Sequence, residues 1–136
     1  MGSRQRVPFR FRLDLHSGVP VYRQIIDQVR GGIASGSLSV GDQLPTVRQL
    51  AVDLSINPNT VARAYRELEL VEVLETHQGT GTFISAQKIR GGGEERSRQL
   101  AQIVTDSVAR AGAIGFTVED LVEQLRGLVL EPSRRR

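Results

Sequence analysis

Residues 56–68 read Ile56-Asn57-Pro58-Asn59-Thr60-Val61-Ala62-Arg63-Ala64-Tyr65-Arg66-Glu67-Leu68. Val61, Ala64, Tyr65 and Leu68 recur at the spacing of one buried helical face. Asn57 is a residue type that caps helix starts, and Pro58 suits the position just inside. Asn59 and Thr60 stand where many helices carry acids. A helix that opens on small polar groups keeps its free N–H groups and its positive dipole end for something outside itself.

The segment before it has a matching form. Thr46 and Gln49 have capping-box spacing, followed by the stripe Val47, Leu50, Ala51 and Leu54. Ser55-Ile56 makes a tight connection. Two helices joined so closely form a helix-turn-helix. Upstream, Pro20 suits the first position of a helix carrying Val21, Tyr22, Ile25, Ile26, Val29 and Ile33. That helix ends near Gly36, and Gly31 and Gly32 inside it each cost ~1 kcal/mol relative to Ala. Gly41-Asp42 reads as a turn. Downstream the period shortens. Val73–Thr76 and Thr82–Ser85 read as strands around a His77–Gly81 turn, a hairpin that makes the motif winged.

Residues 1–19 form a basic arm, 20–86 the winged helix-turn-helix and 87–93 a Gly-rich linker. Residues 94–130 form a two-helix segment, and 131–136 a basic tail. The fourth helix carries Leu100, Ile103, Val104, Val108 and Ala111, and Gly112 to Gly115 breaks it. Thr117 and Asp120 cap the fifth, whose stripe is Val118, Leu121, Val122, Leu125, Leu128 and Val129. The fold class is mostly α with a small β-hairpin wing: a winged helix-turn-helix plus a short two-helix C-terminal dimerisation segment. Two short helices cannot bury both stripes against each other, so a homodimer is expected. The alternative is a cap folded back on the chain's own domain.

Composition narrows the chemistry. The 136 residues contain no cysteine and two histidines, so neither a thiolate nor a His-rich metal site is expected, and no cofactor. No apolar run approaches the ~18 residues of a membrane span, and no signal-peptide segment is present, so the expected location is cytoplasmic. The net charge of +3 is unevenly spread. The first 19 residues hold four arginines against one acid, residues 20–85 five against seven, and residues 86–136 nine bases against seven. A nucleic-acid partner must then be met by a local face rather than by bulk charge. Asp42, Asp53, Glu67 and Glu69 offer acid–base groups without a nucleophile or phosphate loop, so an enzyme is not expected.

Taken together, Pro20–Ile25, Ser35–Ala51, Ile56–Glu69 and Gly79–Ile84 resemble the GntR family of bacterial transcription regulators. The form N-P-N-T-V-x-x-A-Y and the short C-terminal segment resemble its YtrA subfamily. The resemblance implies a DNA-binding regulator, a repressor by analogy, that binds an inverted-repeat operator in double-stranded DNA as a homodimer. It implies Arg48 as a phosphate or base contact and Asn57, Asn59, Thr60 and Arg63 on the recognition helix. It implies Gln78, Gly79, Thr80 and Gly81 as the wing contact. Dimer contacts fall on Leu100, Ile103, Val104, Val108, Val118, Leu121, Val122, Leu125 and Leu128. An effector is not identified by any motif.

Three residues depart from the family pattern. Glu72 stands where relatives carry glycine after the third helix. A left-handed turn strains Glu, so a longer third helix is the alternative. Pro58 and Ala62 replace arginines found in larger relatives, which implies a smaller contact set.

Each fragment also has a plain structural reading. Asn57-Pro58 alone is a helix cap, Gly79-Thr80-Gly81 a hairpin turn, and Arg48 a solvated charge. Arg66, Glu67 and Glu69 read as a solvated face, Tyr22 and Tyr65 as core. Winged helices also serve as protein-interaction adaptors, the rival function. For the arm, Arg4, Arg6, Arg10 and Arg12 fit either a DNA-following arm or a solvated tail, while Phe9, Phe11 and Leu13 fit a strand or packing on the domain.

Overall fold

The computed structural model describes residues 9–86 and 91–129. The described residues fall into two compact units, the first up to residue 86 and the second from residue 91. Arg4, Arg6, residues 87–90 of the expected linker and the 131–136 tail lie outside the described residues.

In the first unit α1 (Val21–Ser35), α2 (Val47–Leu54) and α3 (Pro58–Leu70) pack together. β2 (Leu74–His77) and β3 (Gly81–Ile84) form the antiparallel wing. The core joins Ile25, Ile26 and Val29 of α1 to Leu50 and Ala51 of α2 and to Val61, Ala64, Tyr65 and Leu68 of α3. Leu44, Val73, Leu74 and Ile84 close it from the sheet side. The periodic residues read from the sequence thus meet in one cluster, because each helix has a single apolar stripe to bury.

The helix starts match the caps read from the sequence. Thr46 and Gln49 form a reciprocal capping box, and Asn57 caps α3 with Pro58 at the first turn. Pro20 is the N-cap of α1 rather than its first residue. The helix ends share one device. Ser55 and Glu72 have positive φ, at 57° and 64°. After each, a backbone N–H reaches back five residues: Ile56 to Ala51 at 2.9 Å and Val73 to Leu68 at 2.8 Å. The Glu72 N–H also reaches Glu69 O at 3.0 Å, which completes a Schellman motif.

The alternative of a longer third helix is therefore overturned: α3 stops at Leu70, and Glu72 takes the left-handed turn. Burial of Val73 and Leu68 on either side of that turn offsets its strain.

The sheet differs from expectation in two ways. The wing strands are each displaced by a residue toward the tip; at their base the Val73 N–H serves the helix end, and only the Val73 carbonyl, accepting from the Ser85 N–H at 2.9 Å, continues the pairing. A third strand, β1 (Gln43–Leu44), was not foreseen; it pairs with β3, giving the order β1-β3-β2.

The basic arm packs on the first unit over residues 9–19 instead of standing apart. Inward and outward residues alternate, with Phe9, Phe11 and Leu13 half-buried and Arg10, Arg12 and Asp14 exposed. Two glutamines on one face of α1 hold its backbone as a neighbouring strand would. Gln24 accepts from the Asp14 N–H at 2.8 Å and donates to the Asp14 carbonyl at 2.9 Å. Gln28 makes the same pair of bonds with Arg12. A Cβ on Gly32 would lie 2.7 Å from Phe9 Cε1, so Gly32 is the seat for the arm.

The second unit contains α4 (Gly93–Ala113) and α5 (Val118–Leu128), which pack on each other. α4 begins at Gly93 and stops at Ala113, within the expected Gly112–Gly115 break; just past it Gly115 takes φ 93° and the Phe116 N–H bonds to Ala111 O at 2.9 Å. Thr117 and Asp120 form the expected capping box. Val129 lies just past α5 as its C-cap.

Candidate nucleic-acid interface

The amino end of α3 faces solvent. Asn57, Pro58 and Asn59 are exposed, and Thr60 is half-buried. The Asn57 Oδ1 accepts the Asn59 N–H at 2.8 Å, so the cap uses that oxygen and leaves the amide NH2 as the group Asn57 can offer. No acid stands in the first turn of α2 or α3, whereas α4 has Glu94 and Glu95 there and α5 has Glu119 and Asp120. The amino ends of α2 and α3 therefore keep an uncompensated positive dipole, the condition for meeting phosphate. Arg48 is exposed in the first turn of α2.

Arg63 follows Asn59 by four residues and Thr60 by three, so the three share a helix face. Its guanidinium is held within the protein. It lies over the Tyr22 ring at 3.7 Å from the centroid, and its Nε donates to Glu67 Oε2 at 3.3 Å. Tyr22, read from the sequence as core, sits half-buried at the core's edge and serves as this platform.

Tyr65 is buried, as expected, and its phenol donates to Pro45 O at 2.7 Å. Burial pushes the Tyr65 phenol well above its usual pKa.

The wing tip places Gln78, Gly79 and Thr80 in the turn and Gly81 at the start of β3. Gly79 has φ 85° and space around it for a close approach. Gln43 braces the tip from β1, its Nε2 donating to Thr80 O at 3.0 Å. A Cβ on Gly81 would meet that same nitrogen at 2.3 Å. Within β2, the Thr76 hydroxyl donates to Glu69 of α3, coupling wing to helix.

Sequence reasoning missed Gln43, Glu67 and Tyr22 as supports of this face. Only the Arg63–Glu67 spacing of i, i+4 carried a signal for any of them.

In the second unit nearly every stripe residue is open. Leu100 is 63% exposed, Ile103 61%, Leu125 59% and Leu128 59%. Val104, Val118 and Val122 are also exposed, and Val108 and Leu121 are half-buried. α5 has no buried residue, and α4 has only Ala111.

Among the described residues no cluster of acidic or histidine side chains could hold a metal ion, and no helix is long and apolar enough to cross a membrane. A groove of about 610 Å³ lies on the first unit between the arm and α2, lined by Phe9, Phe11, Arg12, Leu50 and Leu54 among others.

Residues 21–84 match the family described as "Bacterial regulatory proteins, gntR family". The chain is 39% identical to the HTH-type transcriptional repressor YtrA of Bacillus subtilis, over 85% of this chain and 88% of that protein. It is 40% identical to the HTH-type transcriptional regulator Rv1152 of Mycobacterium tuberculosis, over 84% of this chain and 89% of that one. Among solved structures it is similar to a GntR family transcriptional regulator from Listeria monocytogenes, with a TM-score of 0.56 and 30% identity. That likeness covers 86% of this chain and 100% of the other.

Proposed function

Because this chain belongs to the GntR family of bacterial regulatory proteins, a DNA-binding transcriptional regulator, we propose that it is a repressor binding an inverted-repeat operator as a homodimer. The observation that carries the reading is the exposed, acid-free amino end of α3, with Asn59, Thr60 and Arg63 on one face. That end enters the major groove, where Asn and Thr can bond base edges and Arg a guanine or phosphate. Arg48 clamps a phosphate beside it. The wing from Gln78 to Gly81 lies against the neighbouring backbone, where Gly79 leaves room for a phosphate to approach. Asn57 adds its amide NH2.

The dimer rests on a separate observation, the open stripe of the second unit. Leu100, Ile103, Val104, Val118, Val122, Leu125 and Leu128 are too many large apolar side chains to leave in water. A second copy of the same unit covers them most simply through a two-fold axis. Pairing two heads raises affinity through effective concentration and imposes the inverted repeat. The repressor assignment follows the function named for the Bacillus subtilis relative.

Selection of bound duplexes from a random pool tests the reading. The expected winner is a palindrome whose occupancy lowers transcription from a promoter placed over it. Sedimentation equilibrium should find a dimer at micromolar concentration, and Ile103→Asp with Leu125→Asp should give monomers that lose operator affinity. A full-length monomer that binds single half-sites as tightly as the palindrome would overturn the dimer.

A further inference from the structure

An arginine on a recognition helix is normally a long, mobile side chain, free to find the nearest phosphate. Arg63 is not free in that sense. Its Cζ lies over the Tyr22 ring, 3.7 Å from the centroid, and its Nε is engaged by Glu67 at 3.3 Å. The ring contact restrains the guanidinium without using its N–H groups; the Glu67 bond restrains its rotation. No other hydrogen bond to Arg63 is present among the described residues. The two Nη groups are thus left as an oriented pair of donors on a side chain 57% exposed. They stand on the face that carries Asn59 and Thr60.

We propose that Tyr22 is a positioning residue for DNA recognition: from α1, it holds Arg63 of α3 so that the Nη pair forms a preset fork for the O6/N7 edge of a guanine. The inference rests on the reading of Arg63 as a DNA contact. A planar fork matches two acceptors on one base edge, and the rotamer freedom that phosphate contacts tolerate is already lost before DNA arrives. Tyr22 therefore contributes to sequence discrimination without touching a base. Glu67 is the second restraint, and its charge also repels phosphate from the same spot.

The test compares wild type, Tyr22→Phe, Tyr22→Leu, Arg63→Ala and the double Tyr22→Leu/Arg63→Ala on the selected duplex and on versions with each base pair changed. Circular dichroism checks folding of each variant. Tyr22→Phe keeps the aromatic face and should retain both affinity and base preference. Tyr22→Leu should lose about 3- to 10-fold in specific affinity, the scale of a cation–π contact. It should also lose the guanine preference at the one base pair per half-site that Arg63→Ala affects. The double variant should be no weaker than Arg63→Ala alone, since a platform without its arginine has nothing to hold.

A folded Tyr22→Leu with wild-type base preference overturns the proposal, as do losses that multiply in the double variant. If Arg63→Ala weakens all sequences equally and lowers the salt slope, Arg63 meets phosphate and the guanine fork is wrong. If Arg63→Ala binds as wild type, the contact reading itself fails and the proposal falls with it. Should Tyr22→Leu not fold, Glu67→Ala on the half-exposed side of α3 decides. Relaxed preference at the same base pair supports the preset fork, and unchanged preference overturns it.

Discussion

The phenol of Tyr65 donates a 2.7 Å hydrogen bond to the carbonyl oxygen of Pro45, tying the middle of α3 to the residue before the α2 cap. The bond holds the two helices of the motif in register from inside the core. Tyr65→Phe should lower stability by about 1–2 kcal/mol, the scale of a lost bond that leaves a carbonyl poorly satisfied. Chemical denaturation of both forms checks this, and an unchanged midpoint would sink it.

The same phenol predicts an alkaline limit. Its folded pKa is raised by burial above the ordinary value of about 10. The neutral form is therefore the one the fold favours. Its contribution is complete below pH ~10 and is lost as pH rises from there toward the folded value. Wild type should lose stability over that window more steeply than Tyr65→Phe, which has no proton to release at this position. Parallel stability–pH curves for the two proteins would contradict it.

Glu72 sits at φ 64° in the turn that ends α3. Glu72→Gly should stabilise the protein by about 0.5–1 kcal/mol, since glycine enters the left-handed region without a Cβ clash but loses more unfolded-state entropy. Glu72→Val should destabilise it, because a β-branched residue fits that region worse. Thermal melts of the three proteins rank the outcome; a destabilised glycine variant would mean that Glu72 side-chain interactions outweigh its backbone strain.

Capping and recognition should separate at the start of α3. Asn57→Ala removes the acceptor of the Asn59 N–H and should cost about 1 kcal/mol of stability. The Asn59→Ala/Thr60→Ala double variant should retain nearly all stability and lose on the order of 1–3 kcal/mol of operator binding per lost base contact. Melting and titration on one duplex distinguish the two. Wild-type affinity in a folded Asn59/Thr60 variant would move recognition elsewhere.

The arm provides a test independent of DNA. Gln24→Ala should speed hydrogen exchange at the Asp14 amide, whose bond it removes. Gly32→Ala should do so along the arm, because the added methyl meets Phe9 Cε1 at 2.7 Å. Slow exchange at Asp14 in both variants would show that the glutamine grip is not what orders the arm.

What could be read directly was local. Thr46 with Gln49, Asn57 with Pro58 and Thr117 with Asp120 announce helix starts because a cap acts within one turn, and the stripes announce the buried faces because a helix repeats every 3.6 residues. The Asn59–Thr60–Arg63 face was legible for the same reason. What the tertiary structure decided lies in pairs far apart in sequence. Gln43–Leu44 is too short to show a strand period and becomes β1 only by pairing with β3. Glu72 accepts a left-handed turn because Val73 and Leu68 bury on either side of it, a gain no propensity scale contains. Gln24, Gln28 and Gly32 look like a polar face and a weak point of α1 until the arm lies across them. Arg63 and Tyr22 meet because α1 and α3 cross there. Local patterns specify elements because their energies arise within a turn or two of chain; the docking of elements depends on shape and on every stripe burying at once, and one residue's neighbours in sequence do not encode it.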